Sequence, residues 1–132
     1  MTRYMLDTNT VSHLVRQHPS VVAHVLAVPM AALCISAITH GELMFGLAKR
    51  ADAKRLHILL SEFLKRVDVL PWDDTIALRY GSVRATMERL GQILAPLDML
   101  VAAHALGASA VLVTTDRAFG MVPGLAREDW SF

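Results

Sequence analysis

Of the chain's twelve acidic residues, four stand where a carboxylate has chemistry to do: Asp7, Glu42, Asp98 and Asp116. Asp7 ends a short apolar run, Tyr4-Met5-Leu6, and is followed by Thr8 and Asn9, residues that start helices. That layout reads as a buried strand delivering Asp7 to its carboxyl end, with Thr8 or Asn9 capping the next helix. Ligands of parallel α/β sheets bind at that end, and a carboxylate is costly to bury alone. Asp116 follows the run Ala110–Thr114 in the same way, so neighbouring strands would bring the two acids within reach of one ion. Glu42 sits mid-helix between Ile38 and Leu43-Met44-Phe45, an apolar setting for an acid. Asp98 lies between Leu97 and Met99 at a helix start.

Oxygens from three or four carboxylates suit a hard cation, Mg²⁺ or Mn²⁺. Without a cation they repel and raise one another's pKa. A metal held there polarises a phosphodiester oxygen and lowers the pKa of an attacking water. Each acid also has a plainer reading: a helix cap, a salt-bridged helix residue, a favourable N-terminal charge or a turn former. One shared site accounts for all four together.

The elements that must position these acids follow from periodicity and breakers. Residues 3–7 read as strand one and 8–16 as a short helix; Pro19 opens a second helix to Ala27. Ala32–Ser36 is strand two. A helix runs from Ile38 to about Lys49, and a longer one, capped by Asp52, reaches about Val67 with Leu56, Leu59, Leu60, Phe63 and Leu64 at helical spacing. Residues 67–70 form strand three. Asp73 or Asp74 starts a helix that stops at Gly91, and Pro96 opens another that Gly107 ends. Ala110–Thr114 is strand four, Thr115-Asp116 a loop, and the tail from Pro123 to Phe132 adds a short edge strand. Strands separated by helices imply right-handed crossovers. The expected fold is an α/β three-layer sandwich: a four- to five-stranded, mainly parallel sheet flanked by helices. The strandless stretch 37–66 is expected to project as a helical arm and to offer a dimer surface.

At 132 residues, 54% of them apolar and 19% charged, residues 1–132 read as a single domain with a real core. The apolar share favours an oligomer or an obligate partner. A formal charge of +1 gives no long-range steering, so nucleic acid would need a local patch. The lone Cys34 excludes an internal disulfide and a multi-cysteine metal site. No run approaches the roughly 18 apolar residues of a membrane span, and no signal-peptide layout opens the chain. The expected location is the cytoplasm.

At the acidic positions the sequence resembles PIN-domain proteins, with the VapC toxins of bacterial toxin–antitoxin pairs most similar. The carrying motifs are Met5-Leu6-Asp7-Thr8-Asn9, Ile35-Ser36 through Gly41-Glu42-Leu43, Pro96-Leu97-Asp98 with Ala102-Ala103-His104-Ala105, and Val113-Thr114-Thr115-Asp116 with Phe119. The match continues to Gly124-Leu125 and Glu128-Asp129-Trp130. Four motifs in order and spacing are specific where one would not be. The resemblance implies a Mg²⁺- or Mn²⁺-dependent endoribonuclease with Asp7, Glu42, Asp98 and Asp116 as its metal site. Asn9 and Thr115 match polar positions that support it. It further implies a homodimer and a neutralising VapB-type antitoxin whose tail reaches into the site. Some close relatives cut the anticodon loop of initiator tRNA, which offers one candidate substrate.

Six histidines do not make a zinc site, since none has a partner at helical zinc spacing with an acid. His104, in an alanine-rich helix, reads as a packed or supporting histidine, and His40 as a neighbour of the Glu42 site. Basic groups occur at Lys49-Arg50 with Lys54-Arg55, at Lys65-Arg66, and at Arg79, Arg84 and Arg89. Arg84 and Arg89, which precede the loop to Asp98, are the favoured RNA-phosphate contacts. Two other classes compete. An aspartyl-phosphate phosphatase carries a second Asp two residues after its nucleophile, where this chain has Asn9. A catalytically silent RNA- or protein-binding module gains little from clustering repelling acids.

Overall fold

The first strand is three residues long, yet it is the middle of the sheet. In the computed structural model, which describes residues 1–132, β1 (Tyr4–Leu6) is flanked by β2 (Leu33–Ser36) and β4 (Val111–Val113). The edges are β3 (Asp68–Leu70) and β5 (Arg127–Glu128), giving the order β3-β2-β1-β4-β5 with every pairing parallel. Parallel strands need crossovers, and six helices supply and accompany them: α1 (Thr8–Val15), α2 (Pro19–Leu26), α3 (Ala37–Lys49), α4 (Lys54–Arg66), α5 (Asp74–Arg89) and α6 (Pro96–Gly107). Short 3₁₀ turns at Met30–Ala32 and Arg117–Met121 complete the chain.

Alternation along the strands sorts two cores, one on each sheet face. Met5 and Leu112, register partners, point with Cys34 toward α5 and α6, where they meet Met87, Met99 and Phe119. Leu6 and Val113, the next register pair, join Leu33 and Ile35 on the opposite face with Val11, Leu60 and Phe63. The edge strand expected in the tail forms as β5. Just beyond it Trp130, 2% exposed, packs its ring 5.4 Å from His24 and 5.3 Å from Tyr4.

Three local expectations are corrected. Asp7 itself, rather than Thr8 or Asn9, caps α1: its Oδ1 accepts from the Thr10 N–H at 2.9 Å. Asp52 does not cap α4: it stands one residue before the N-cap, which is Ala53 with no side-chain bond. The stretch 37–66 is not a projecting arm, because α3 and α4 both pack on α1 and bury Leu43, Leu60 and Phe63 there. Asp73 does cap α5, its Oδ1 accepting from Ile76 N–H at 3.2 Å. Gly91 follows the helix with φ of +69°, a left-handed turn that glycine adopts without strain.

Candidate active site

Asp7 reaches the site because β1 ends beneath it. Its backbone N–H donates to Val113 O at 3.1 Å, and Thr10 Oγ1 donates to the same carbonyl at 3.0 Å. The carboxyl ends of β1 and β4 are thus tied together, three residues before Asp116. That acid turns back over the sheet through two local bonds. Thr114 Oγ1 accepts from the Asp116 N–H at 3.0 Å, and Asp116 Oδ1 accepts from the Ala118 N–H at 2.9 Å. Glu42 projects from the second turn of α3, held by Thr8 Oγ1, which donates to its Oε1 at 3.0 Å. Asp98 stands in the first turn of α6, just after Pro96 sets the helix start.

All four acids line one pocket of about 130 Å³, with Thr8, Asn9, Thr39, Val101 and Phe119, and no Lys, Arg or His among the walls. Asp7 is buried, Asp98 and Glu42 half-buried, Asp116 and Asn9 exposed at the mouth. The Asp98 carboxyl is held above its ordinary value, first by burial and then by the charges of Asp116, Glu42 and Asp7. The acids therefore sense one another. They do not close on a point: no three acid, histidine or cysteine side chains gather tightly enough to cage an ion as they stand. Mutual repulsion favours that spread.

The residues fit a hard divalent ion on two grounds. The donor set is all oxygen, with no nitrogen or sulfur to favour a softer metal. Thr39 Oγ1, on a residue with 0% exposure lining the pocket, is buried with no hydrogen-bond partner. An ion with its waters would give that oxygen one.

Behind the pocket, α3 and α6 are joined by a buried pair. Ser36 Oγ caps α3 by accepting from the Ile38 N–H at 3.1 Å, and it lies 2.7 Å from His104 Nδ1 on α6. Burial holds the His104 pKa below its ordinary value, against a smaller upward pull from Asp73.

Of the sequence candidates, Asp7, Asn9, Glu42, Asp98 and Asp116 come together. Thr115 is not part of the pocket wall; the neighbouring Thr114 supports the loop instead. His40 does not line the pocket, and Thr39 does. Arg84 and Arg89 lie apart from it, Arg84 bonded to Tyr80 Oη at 2.8 Å and paired with Glu88, Arg89 bonded to Thr86. Thr8 and Thr39 were missed. Thr8 carries a signal in adjoining Asp7, whereas a threonine inside α3 carries none of its own.

Comparison with known proteins follows the same lines. The family description "PIN domain" matches residues 4–125. A tRNA(fMet)-specific endonuclease VapC of Shigella flexneri is 34% identical over 132 residues, covering 99% of this chain and 100% of that protein. Ribonuclease VapC2 of Haemophilus influenzae is 30% identical over 131 residues, covering 98% and 99%. Among solved structures, VapBC2 from Rickettsia felis bound to a promoter DNA fragment superposes with a TM-score of 0.89 at 29% identity, covering 98% of this chain and 99% of that one. DNA-bound VapBC from Salmonella typhimurium gives 0.89 at 34%, with the same coverages.

Proposed function

Because the chain belongs to the PIN domain family, we propose that it is a divalent-metal-dependent endoribonuclease, the toxin of a toxin–antitoxin pair. The carrying observation is the pocket walled by four carboxylates with no basic side chain, in a fold whose relatives are named ribonucleases. Asp7, Glu42, Asp98 and Asp116 would hold Mg²⁺ or Mn²⁺. When bound, the ion supplies positive charge at the phosphate and acidifies a water. The chain's own residues set the stage for it. Thr8 orients the Glu42 carboxylate, the backbone of α1 orients Asp7, and Asn9 offers an amide at the mouth to an incoming strand.

The substrate class is RNA, and initiator tRNA, named for two relatives, is the first target to try. The partner is a VapB-type antitoxin, supported by neighbours solved as toxin–antitoxin complexes. The reading extends to a homodimer acting in the cytoplasm.

The test is cleavage of purified total tRNA with Mg²⁺ or Mn²⁺, comparing wild type, Asp7→Asn, Asp98→Asn and an EDTA control. Asn is chosen at position 7 because it caps a helix as well as Asp does, whereas Ala costs about 1 kcal/mol of cap. Discrete fragments are expected from wild type with metal only. Full activity in both variants would remove these residues from the mechanism. Absence of both cleavage and calorimetric Mn²⁺ binding would overturn the acid-site reading.

A further inference from the structure

A hollow far larger than the acid pocket, about 670 Å³, opens where the end of α1 meets the turn between α3 and α4. Arg16, Arg50, Lys54 and Arg55 line it, and no acid does. All four cations are exposed, and none belongs to an ion pair, Asp52 included. Fold stability accounts for two of them. Arg16 and Arg50 are the C-caps of α1 and α3, where the negative end of a helix favours a cation. Lys54 and Arg55 break that rule. They occupy the first turn of α4, the positive end, with no acid there and no side-chain cap. A local cost with no compensating contact points to a role outside the fold.

The basin is not isolated. A narrower groove of about 150 Å³ shares Val15, Arg16, Arg50 and Leu56 with it, and shares Thr8 and Glu42 with the acid pocket. Thr8, Ser12, Val15 and Arg16 form one face of α1 along that groove. Eight residues of helix set the basin about 12 Å from the acids.

We infer that this basin holds the sugar-phosphate backbone of the substrate RNA on one side of the bond to be cut. The inference rests on the nuclease reading, because a strand entering the acid pocket must continue somewhere. This groove is a walled path from Glu42 to uncompensated positive charge. Phosphate contacts of this kind add affinity without reading sequence.

The experiment is an anisotropy titration of a fluorescein-labelled single-stranded RNA with the full-length protein, in EDTA, across a range of KCl. Lys54→Gln/Arg55→Gln should flatten the slope of log Kd against log salt by about 1.4, two contacts at ~0.7 each. Binding at about 0.1 M salt should weaken roughly 10- to 30-fold. With metal restored, KM should rise while kcat at saturating RNA holds. Lys65→Gln/Arg66→Gln removes equal charge at the other end of α4, where Glu62 pairs with both cations, and should leave the slope unchanged. Circular dichroism and melting establish that each variant is folded. A Lys54→Gln/Arg55→Gln protein that binds as wild type overturns the inference. So does an equal change in both double variants, which would be a bulk charge effect. If the basin variant keeps RNA affinity but escapes inhibition by a co-expressed partner, the basin belongs to an acidic protein segment and the inference falls. Because the titration needs no cleavage, the two readings separate. Basin-dependent binding without cleavage removes the nuclease and leaves the basin, whereas cleavage with unaltered variant binding removes the basin alone.

Discussion

Asp98 carries the electrostatic cost of the site. Half-buried and facing three other acids, it is harder to ionise than an ordinary aspartate. Its folded-state pKa is raised, so its charge subtracts stability above that raised value, and the cost vanishes below the ordinary value of 3.8. Asp98→Asn is therefore expected to melt higher than wild type at neutral pH in EDTA. That gain should fade as pH falls toward 4 and shrink when Mn²⁺ is added to wild type. Activity should drop by more than about 100-fold, the scale of losing several kcal/mol of metal-assisted stabilisation. A variant that melts lower at pH 7 without metal would show that Asp98 is structural. The acids were legible in the sequence because each ends a strand or interrupts an apolar helix, whereas Thr39 was not. A threonine in a helix looks the same whether its hydroxyl bonds its own backbone or faces a pocket unpartnered.

Between α3 and α6 the hydroxyl of Ser36 does two jobs, capping the helix that carries Glu42 and meeting the histidine of the helix that carries Asp98. Ser36→Ala should cost about 2 kcal/mol, from a lost cap and a buried ring nitrogen left without its partner. It should also lower kcat by letting the two acid-bearing helices shift, whereas Ser36→Thr should recover much of both. His104 adds a pH dependence. Its folded pKa is lowered, so the unfolded chain binds the extra proton as pH falls through the ordinary value of 6.5. Stability should decline below that point, by up to about 1.4 kcal/mol per pH unit until the folded value is reached. Melting curves from pH 7 to pH 5 check this, and His104→Gln should flatten that limb. The order and type of these elements were readable from apolar spacing and from Pro19, Pro96 and Gly91. Their packing was less so: Leu56, Leu60 and Phe63 announce an apolar face on α4 but not that α1 is what it covers. The cap on α1 was misassigned because Asp7, Thr8 and Asn9 are all good caps, and only backbone geometry chooses among them.

Across the whole molecule, charge and apolar surface are distributed unevenly. The net charge of +1 hides an acid pocket and a basic basin at opposite ends of one groove. No helix is long and apolar enough to cross a membrane. Apolar side chains nevertheless stand in water around the α5–α6 connection, Leu90 at 56%, Ile93 at 84% and Leu97 at 47% exposure. Such a cluster supports the proposed homodimer. Light scattering should give a dimer mass for wild type and a monomer mass for Leu90→Glu/Ile93→Glu. A monomeric wild type would end that reading. The tail has a further consequence. Asp116 follows β4, and residues 127–132 cover that strand and β1, β5 pairing with β4 and Trp130 packing on Tyr4. The strand that leads into Asp116 is thus clamped on both sides, by β1 and by β5, and without residues 127–132 it would become a bare sheet edge beside the acids.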